Sequence, residues 1–189
     1  MKFVILHGTM GSPEGNWFPW LAEELEKLGH QTIRPQLPTP AGQNPTEWTK
    51  AIKEAVEKLG GPDEETVFVA HSMSCFAVCD YLSQIDKHVN SAFLVAGFAQ
   101  RYSEWPEPFP ELNNPFVDKS LDWNRVKTNC SKIFCFDGDD DKYVSSEMAK
   151  KFANLCGARL KIIPNGGHLT EDSGYTIFPL LLDTIKKEM

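Results

Sequence analysis

Short apolar runs alternate with helical stripes along nearly the whole chain. Six runs read as strands: Phe3–Leu6, Gln31–Arg34, Thr66–Ala70, Ala92–Ala96, Ile133–Phe136 and Leu160–Ile163. Most lack polar alternation, the mark of strands covered on both faces. Between them, apolar residues recur three and four positions apart. Trp17, Leu21, Leu25 and Leu28 form one stripe, closed by Gly29, and Trp48, Ala51, Ile52, Ala55, Val56 and Leu59 form a second, closed by Gly60-Gly61-Pro62. Cys75, Val78, Cys79 and Leu82 follow the third strand; Met148, Phe152, Leu155 and Cys156 lead to Gly157; Phe178, Leu181, Leu182 and Ile185 come last. Each stripe reads as the core-facing side of an amphipathic helix. Repeated strand–helix units with right-handed crossovers predict an α/β fold over 1–189, a doubly wound, mostly parallel six-stranded sheet in one domain.

One stretch breaks this rhythm. Residues 98–129 are rich in proline and aromatics (Trp105, Pro106, Pro108, Phe109, Pro110, Pro115, Phe116, Trp123) and show no sustained period. A connection this long without structure of its own is usually functional. It is expected to hang over the carboxyl ends of the strands as a short lid after the fourth strand, with Phe98, Trp105 and Phe109 lining a substrate pocket.

Composition narrows the class. The chain has 189 residues, 41% hydrophobic and 24% charged, and a net charge of −7. That acidity argues against nucleic acid or an anionic membrane as partner. The N-terminal apolar run is too short for a signal peptide and no segment approaches a membrane span, so the expected location is cytoplasmic, without membrane insertion. The five cysteines (75, 79, 130, 135 and 156) are odd in number and sit in apolar runs. They read as buried free thiols, and no His/Cys pair completes a metal site around Cys75 and Cys79.

The chemistry centres on Thr66-Val-Phe-Val-Ala-His71-Ser72-Met-Ser-Cys75, a buried strand that runs through a serine into a helix. Small residues at Ala70 and Ser74 permit the sharp turn that would lift the Ser72 hydroxyl above the sheet, and the Met73 N–H would face a developing oxyanion. A serine hydroxyl needs a base and a third group to orient that base. After the fifth strand comes Asp137-Gly138-Asp-Asp-Asp141-Lys-Tyr-Val144, and after the sixth Asn165-Gly-Gly167-His168. Nucleophile, acid, base is the chain order of α/β-hydrolases, and each residue lies just past a strand end. Asp141 fits the acid best, because Gly138-x-x-Asp141-x-x-Val144 resembles the segment around the acid in α/β-hydrolases, with Asp140 as the alternative; the loop lacks the spacing of a calcium site. Of the other histidines, His7 reads as positioning the first loop, His71 as supporting the loops while pointing away from Ser72, and His30 and His88 as solvated. His7-Gly8-Thr9-Met10-Gly11 would supply a second oxyanion N–H from Thr9; as a phosphate loop it lacks the required Lys-Ser/Thr.

Together these segments resemble the small capless serine hydrolases of the YdeN and retinoblastoma-binding serine hydrolase family. The markers are His7-Gly8, Asn16-Trp17-Phe-Pro-Trp20-Leu, Pro35-x-Leu37-Pro38, Trp48, Phe68-Val-Ala-His71-Ser72, Val95-Ala-Gly97-Phe98, Asp140-Asp141-x-x-Val144 and Gly167-His168. The resemblance implies catalytic roles for Ser72, Asp141 and His168 on a minimal α/β-hydrolase fold; the short chain and small lid suggest a small acyl substrate (ester, thioester or amide), and no metal or cofactor is expected. Two positions depart from the pattern. Ser74 replaces a frequent glycine and is expected to crowd the elbow, and Ser145 replaces a proline where serine caps a helix well. The L-x-C-x-E segment behind retinoblastoma binding is missing, so no such partner is expected. The competing readings are an interaction module that kept the fold and an acyltransferase that shares the acyl-enzyme.

Overall fold

In the computed structural model, which describes residues 1–189, the six runs pair as one all-parallel sheet. In chain order the strands are β1 (Lys2–Leu6), β2 (Gln31–Ile33), β3 (Thr66–His71), β4 (Ser91–Val95), β5 (Ile133–Gly138) and β6 (Arg159–Ile163). They lie side by side as β2-β1-β3-β4-β5-β6. The order reverses between β1 and β3, with Leu6 beside Ala70. The loops that leave these two strands in opposite directions open a crevice at their carboxyl ends, the place where such sheets bind ligands.

Side chains alternate across the sheet. Phe3, Ile5, Val67, Val69, Phe93, Val95, Phe134 and Phe136 form one core with α1 (Phe18–Lys27) and α7 (Pro179–Glu188). Val4, Leu6, Phe68, Ala70, Ala92, Leu94, Ile133 and Cys135 form the other, beneath α2 (Pro45–Lys58), α3 (Met73–Gln84), α4 (Phe109–Val117), α5 (Trp123–Asn129) and α6 (Ser146–Cys156). The outer strands β2 and β6 keep exposed or half-buried positions throughout, because no neighbour covers their free edges.

Two expectations need correction. The helix after Ser72 is not amphipathic: every residue from Met73 to Leu82 is buried, since α2, α4 and α5 close around it. Its one charge, Asp80, accepts hydrogen bonds from Lys119 (2.6 Å), Thr49 (3.0 Å) and Gln84 (2.8 Å), which offset the cost of burying a carboxylate. Nor is 98–129 without structure. It contains α4 and α5, and α5 packs on α3 and α6 as the ordinary crossover between β4 and β5. Both helices are too short to show a stripe. Pro110 sits in the first turn of α4, and Pro115 near its end removes a further backbone donor.

All five cysteines are free and buried. Burial pushes the thiols of Cys75 and Cys79 far above the ordinary range and that of Cys130 to about 12. The contact with Cys156, followed by burial, does the same for Cys135.

Phe152 joins the two ends of this larger core. It lies against Gly97 beyond β4 and meets Trp123 of α5 edge-on, with ring centroids 6.2 Å apart. Phe152→Ala should lower the unfolding free energy by about 3–5 kcal/mol in denaturant titration, because the ring is 1% exposed and packed between Gly97 and Trp123. A loss below about 1 kcal/mol would show that the core collapses around the void.

Candidate functional site

Ser72 occupies the corner between β3 and α3 with φ 58° and ψ −129°, a conformation costly for any residue with a Cβ. Its surroundings hold it there. The Ser72 N–H donates to Val95 O (2.8 Å). Ser74, expected to crowd the elbow, stitches it instead: its hydroxyl oxygen accepts the His71 N–H (3.0 Å) and reaches His71 O (2.8 Å) and Leu6 O (3.1 Å). Gly8 packs flat against the serine, and a Cβ there would lie 2.7 Å from Ser72 Cβ and 3.3 Å from Ser72 Oγ.

The three residues expected to act together converge. His168 Nε2 lies 3.2 Å from Ser72 Oγ, and His168 Nδ1 lies 2.7 Å from Asp141 Oδ2. A carboxylate only accepts, so Nδ1 carries the proton and Nε2 offers its lone pair to the serine hydroxyl. The other Asp141 oxygen accepts the N–H groups of Tyr143 (2.8 Å) and Val144 (3.2 Å). Asp140, the alternative acid, is turned elsewhere and accepts the Gly167 N–H at 2.7 Å, while Asp139 accepts that of Asn165 at 2.8 Å. The neighbouring aspartates thus fasten the histidine loop to the acid loop. Gly138 makes this possible, since a Cβ at that position would overlap Gly167 O. Ser145 caps α6 through the Met148 N–H (3.3 Å), as expected of it.

His71 does more than support loops in general. Its Nε2–H donates to the backbone oxygen of His168 (2.9 Å), and the two rings meet edge-on at 4.8 Å. Trp17 adds a second tie to the same loop by donating from Nε1 to Leu169 O (3.0 Å). Burial, reinforced by the nearby His168, lowers the pKa of His71 to about 3, so the ring stays neutral. His7 positions the first loop as expected, donating to Gly8 O (2.8 Å) and accepting the Leu37 N–H (3.0 Å). Asp137, first of the four aspartates in the acid segment, took no role from the sequence. It is fully buried, neither oxygen is hydrogen-bonded by a protein group, and burial followed by the Asp141 charge pushes its carboxyl well above the usual range.

Two backbone donors remain unengaged beside the serine: Thr9 N–H after β1, and Met73 N–H at the start of α3. A cavity of about 350 Å³ opens over Ser72 and His168. Phe98, Trp105 and Phe109 line it, joined by Tyr143 and Asn113. Trp105 Nε1 donates to Tyr143 O (2.8 Å), fastening the residues that precede α4 to the acid loop. The remaining lining is polar and comes from Gly11, Ser12, Gly15 and Asn16 in the loop after β1 and from Thr170, Glu171 and Asp172. Asn113 and Tyr143 carried no periodic or motif signal, and only the folding of α4 brings Asn113 to the cavity.

Known proteins share the family and the fold of this chain. A family model described as serine hydrolase matches residues 3–187. The chain is 28% identical to YdeN of Bacillus subtilis over 186 residues, covering 97% of this chain and 94% of YdeN. It is 22% identical to the serine hydrolase RBBP9 of Rattus norvegicus over 170 residues, covering 88% of this chain and 86% of RBBP9. The crystal structure of the Bacillus subtilis ydeN gene product superposes with a TM-score of 0.89 at 26% identity, covering 99% and 97% of the two chains. Est1E from Butyrivibrio proteoclasticus shares the fold, with a TM-score of 0.72 at 15% identity over 99% of this chain and 87% of its own. No helix is long and apolar enough to cross a membrane.

Two outcomes test the site's construction. An alanine methyl at Gly8 should displace the Ser72 hydroxyl or the Thr9 N–H by several tenths of an ångström. Gly8→Ala should therefore lower the rate of covalent labelling at Ser72 by about 10²-fold. The second outcome concerns pH. His71 has a folded pKa below its unfolded value of 6.5, so only the unfolded chain binds this proton between about 6.5 and 3. Its contribution to stability is present above pH 6.5 and is lost as the pH falls toward 3. His71→Gln should make the stability of the protein fall less steeply over that window; equal slopes in denaturant titrations at pH 7 and pH 4.5 would contradict the neutral ring.

Proposed function

This chain belongs to the serine hydrolase family, and on that basis we propose that it cleaves a small ester through an acyl-enzyme formed on Ser72. The observation that carries the reading is the hydrogen-bonded line from Ser72 Oγ to His168 Nε2 (3.2 Å) and from His168 Nδ1 to Asp141 Oδ2 (2.7 Å), beside two free backbone N–H groups. In the first step His168 takes the hydroxyl proton as Ser72 Oγ attacks the substrate carbonyl, and Asp141 stabilises the imidazolium that forms. The N–H groups of Thr9 and Met73 hold the oxyanion, at a helix start where the dipole favours negative charge. His168 then gives its proton to the leaving alkoxide, which departs as an alcohol. Water, deprotonated by the same imidazole, attacks the acyl-enzyme and releases the acid.

A cavity of about 350 Å³ with an aromatic wall favours a compact acyl group. The same machinery would open a thioester, whose thiolate leaves more readily than an alkoxide, or an amide, whose nitrogen must be protonated by His168 before it departs.

Ser72→Ala should cost about 10⁶-fold in turnover of short p-nitrophenyl esters if the three residues act as a unit. A fluorophosphonate probe should label Ser72 in the wild type, and labelling that survives Ser72→Ala would overturn the assignment. Asp141→Asn should cost about 10⁴-fold, because an amide can hold the wrong imidazole tautomer. Asp140→Asn should cost far less, and a reversal of that order would move the acid role to Asp140.

A further inference from the structure

Asn113 lies 3% exposed at the cavity wall, and the hydrogen bonds around it leave its amide in one orientation. Gln43 Nε2 donates to Leu112 O (3.2 Å), a carbonyl that can only accept, so the Gln43 amide has a defined sense. Its Oε1 accordingly accepts the hydroxyl proton of Thr39 (2.6 Å), whose oxygen takes the Met10 N–H (2.7 Å). Gln43 Nε2 also donates to Thr9 Oγ1 (2.9 Å), and Thr9 passes its single proton to Asn113 Oδ1 (2.6 Å). Turning the Asn113 amide over would set its NH₂ against the Gln43 NH₂, which lies 3.3 Å from Oδ1. Asn113 Oδ1 is therefore committed to the protein. Its Nδ2, with two donors and no protein partner, is left at the cavity.

The two walls of the cavity differ in a way that assigns the ends of a substrate. Phe98 and Trp105, 1% and 6% exposed, enclose the part of the cavity lined by the residues before α4 and by the buried Asn113, whereas Glu171 and Asp172 in its polar lining are open to solvent. In the mechanism above the alcohol must leave while the acyl group stays, so the open side suits the alcohol and the enclosed side the acyl chain. We infer that Asn113 is a specificity-determining residue. Its Nδ2 donates to an oxygen acceptor (ether, keto or hydroxyl) carried by the acyl chain, and this selects oxygenated acyl groups over plain hydrocarbon ones. The inference rests on the hydrolase reading. A buried amide with unused donors loses hydrogen bonds to water when a hydrocarbon chain covers it, and regains one when the chain offers an acceptor.

The test uses p-nitrophenyl methoxyacetate and p-nitrophenyl butanoate, which differ in the acyl chain by an oxygen in place of a methylene. For the wild type, the ratio of their kcat/KM values, divided by the ratio of their alkaline hydrolysis rates, should favour the ether about tenfold. Asn113→Asp keeps an oxygen for Thr9 and Gln43 but removes the donor, and should bring that normalised ratio to one or below. Asn113→Leu, of similar size, serves if the aspartate variant does not fold, as judged by circular dichroism. A normalised wild-type ratio of one or less overturns the proposal. So does an equal loss on both esters in the variants, which would make Asn113 a further oxyanion donor or a structural residue. If neither ester is turned over and Ser72 takes no fluorophosphonate, the hydrolase reading itself has failed and takes this inference with it. Turnover with an unchanged ratio removes the inference alone.

Discussion

The geometry of the site depends on one strained residue. Ser72 holds a positive φ that its side chain disfavours, and the surrounding contacts must overcome that preference. They do so from two neighbouring strands and the following helix: Val95 O of β4 accepts the Ser72 N–H, and the Ser74 hydroxyl of α3 ties the His71 N–H of β3 to Leu6 O of β1. The same contacts bring Gly8 against the serine, which places the loop after β1, and with it Thr9, beside the nucleophile. The elbow is thus a junction where β1, β3 and β4 meet, and a shift in any of them is felt at the hydroxyl.

The histidine loop is held with comparable redundancy but by different means. His71, Trp17, Asp140 and Asp139 each bind a different backbone group between Asn165 and Leu169. Four anchors on five consecutive residues leave His168 little freedom except rotation about its own side-chain bonds, and Asp141 removes that. The cluster of aspartates therefore divides its work between one carboxylate that binds an imidazole and two that bind backbone.

Much of this was legible in the chain. The six strands, their mostly parallel arrangement and the strand-end positions of Ser72, Asp141 and His168 follow from apolar runs and turn residues, which are local signals; the order in which the strands lie side by side does not. The helices α4 and α5 were hidden because nine and seven residues give barely two turns of period, and prolines interrupt the first. The buried stretch of α3 from Met73 to Leu82 hides its period for a related reason, since a helix covered on every side has no polar face to reveal it. Gln43, Asn113 and Asp137 left no trace, because their meaning lies in partners 34 to 104 residues away or in the lack of any. The resemblance to YdeN holds across 97% of the chain, at 28% identity.

The five cysteines give the protein an unplanned property. Each sulfur is sealed from solvent, and four of the thiols are far from ionising near neutral pH. Alkylating reagents and oxidants attack the exposed thiolate, so the folded molecule is chemically silent toward them. Any sulfur that reacts must first have been uncovered. A thiol reagent present from the start would therefore act as a clock, recording how often the interior of the larger core opens while the serine above it remains in place.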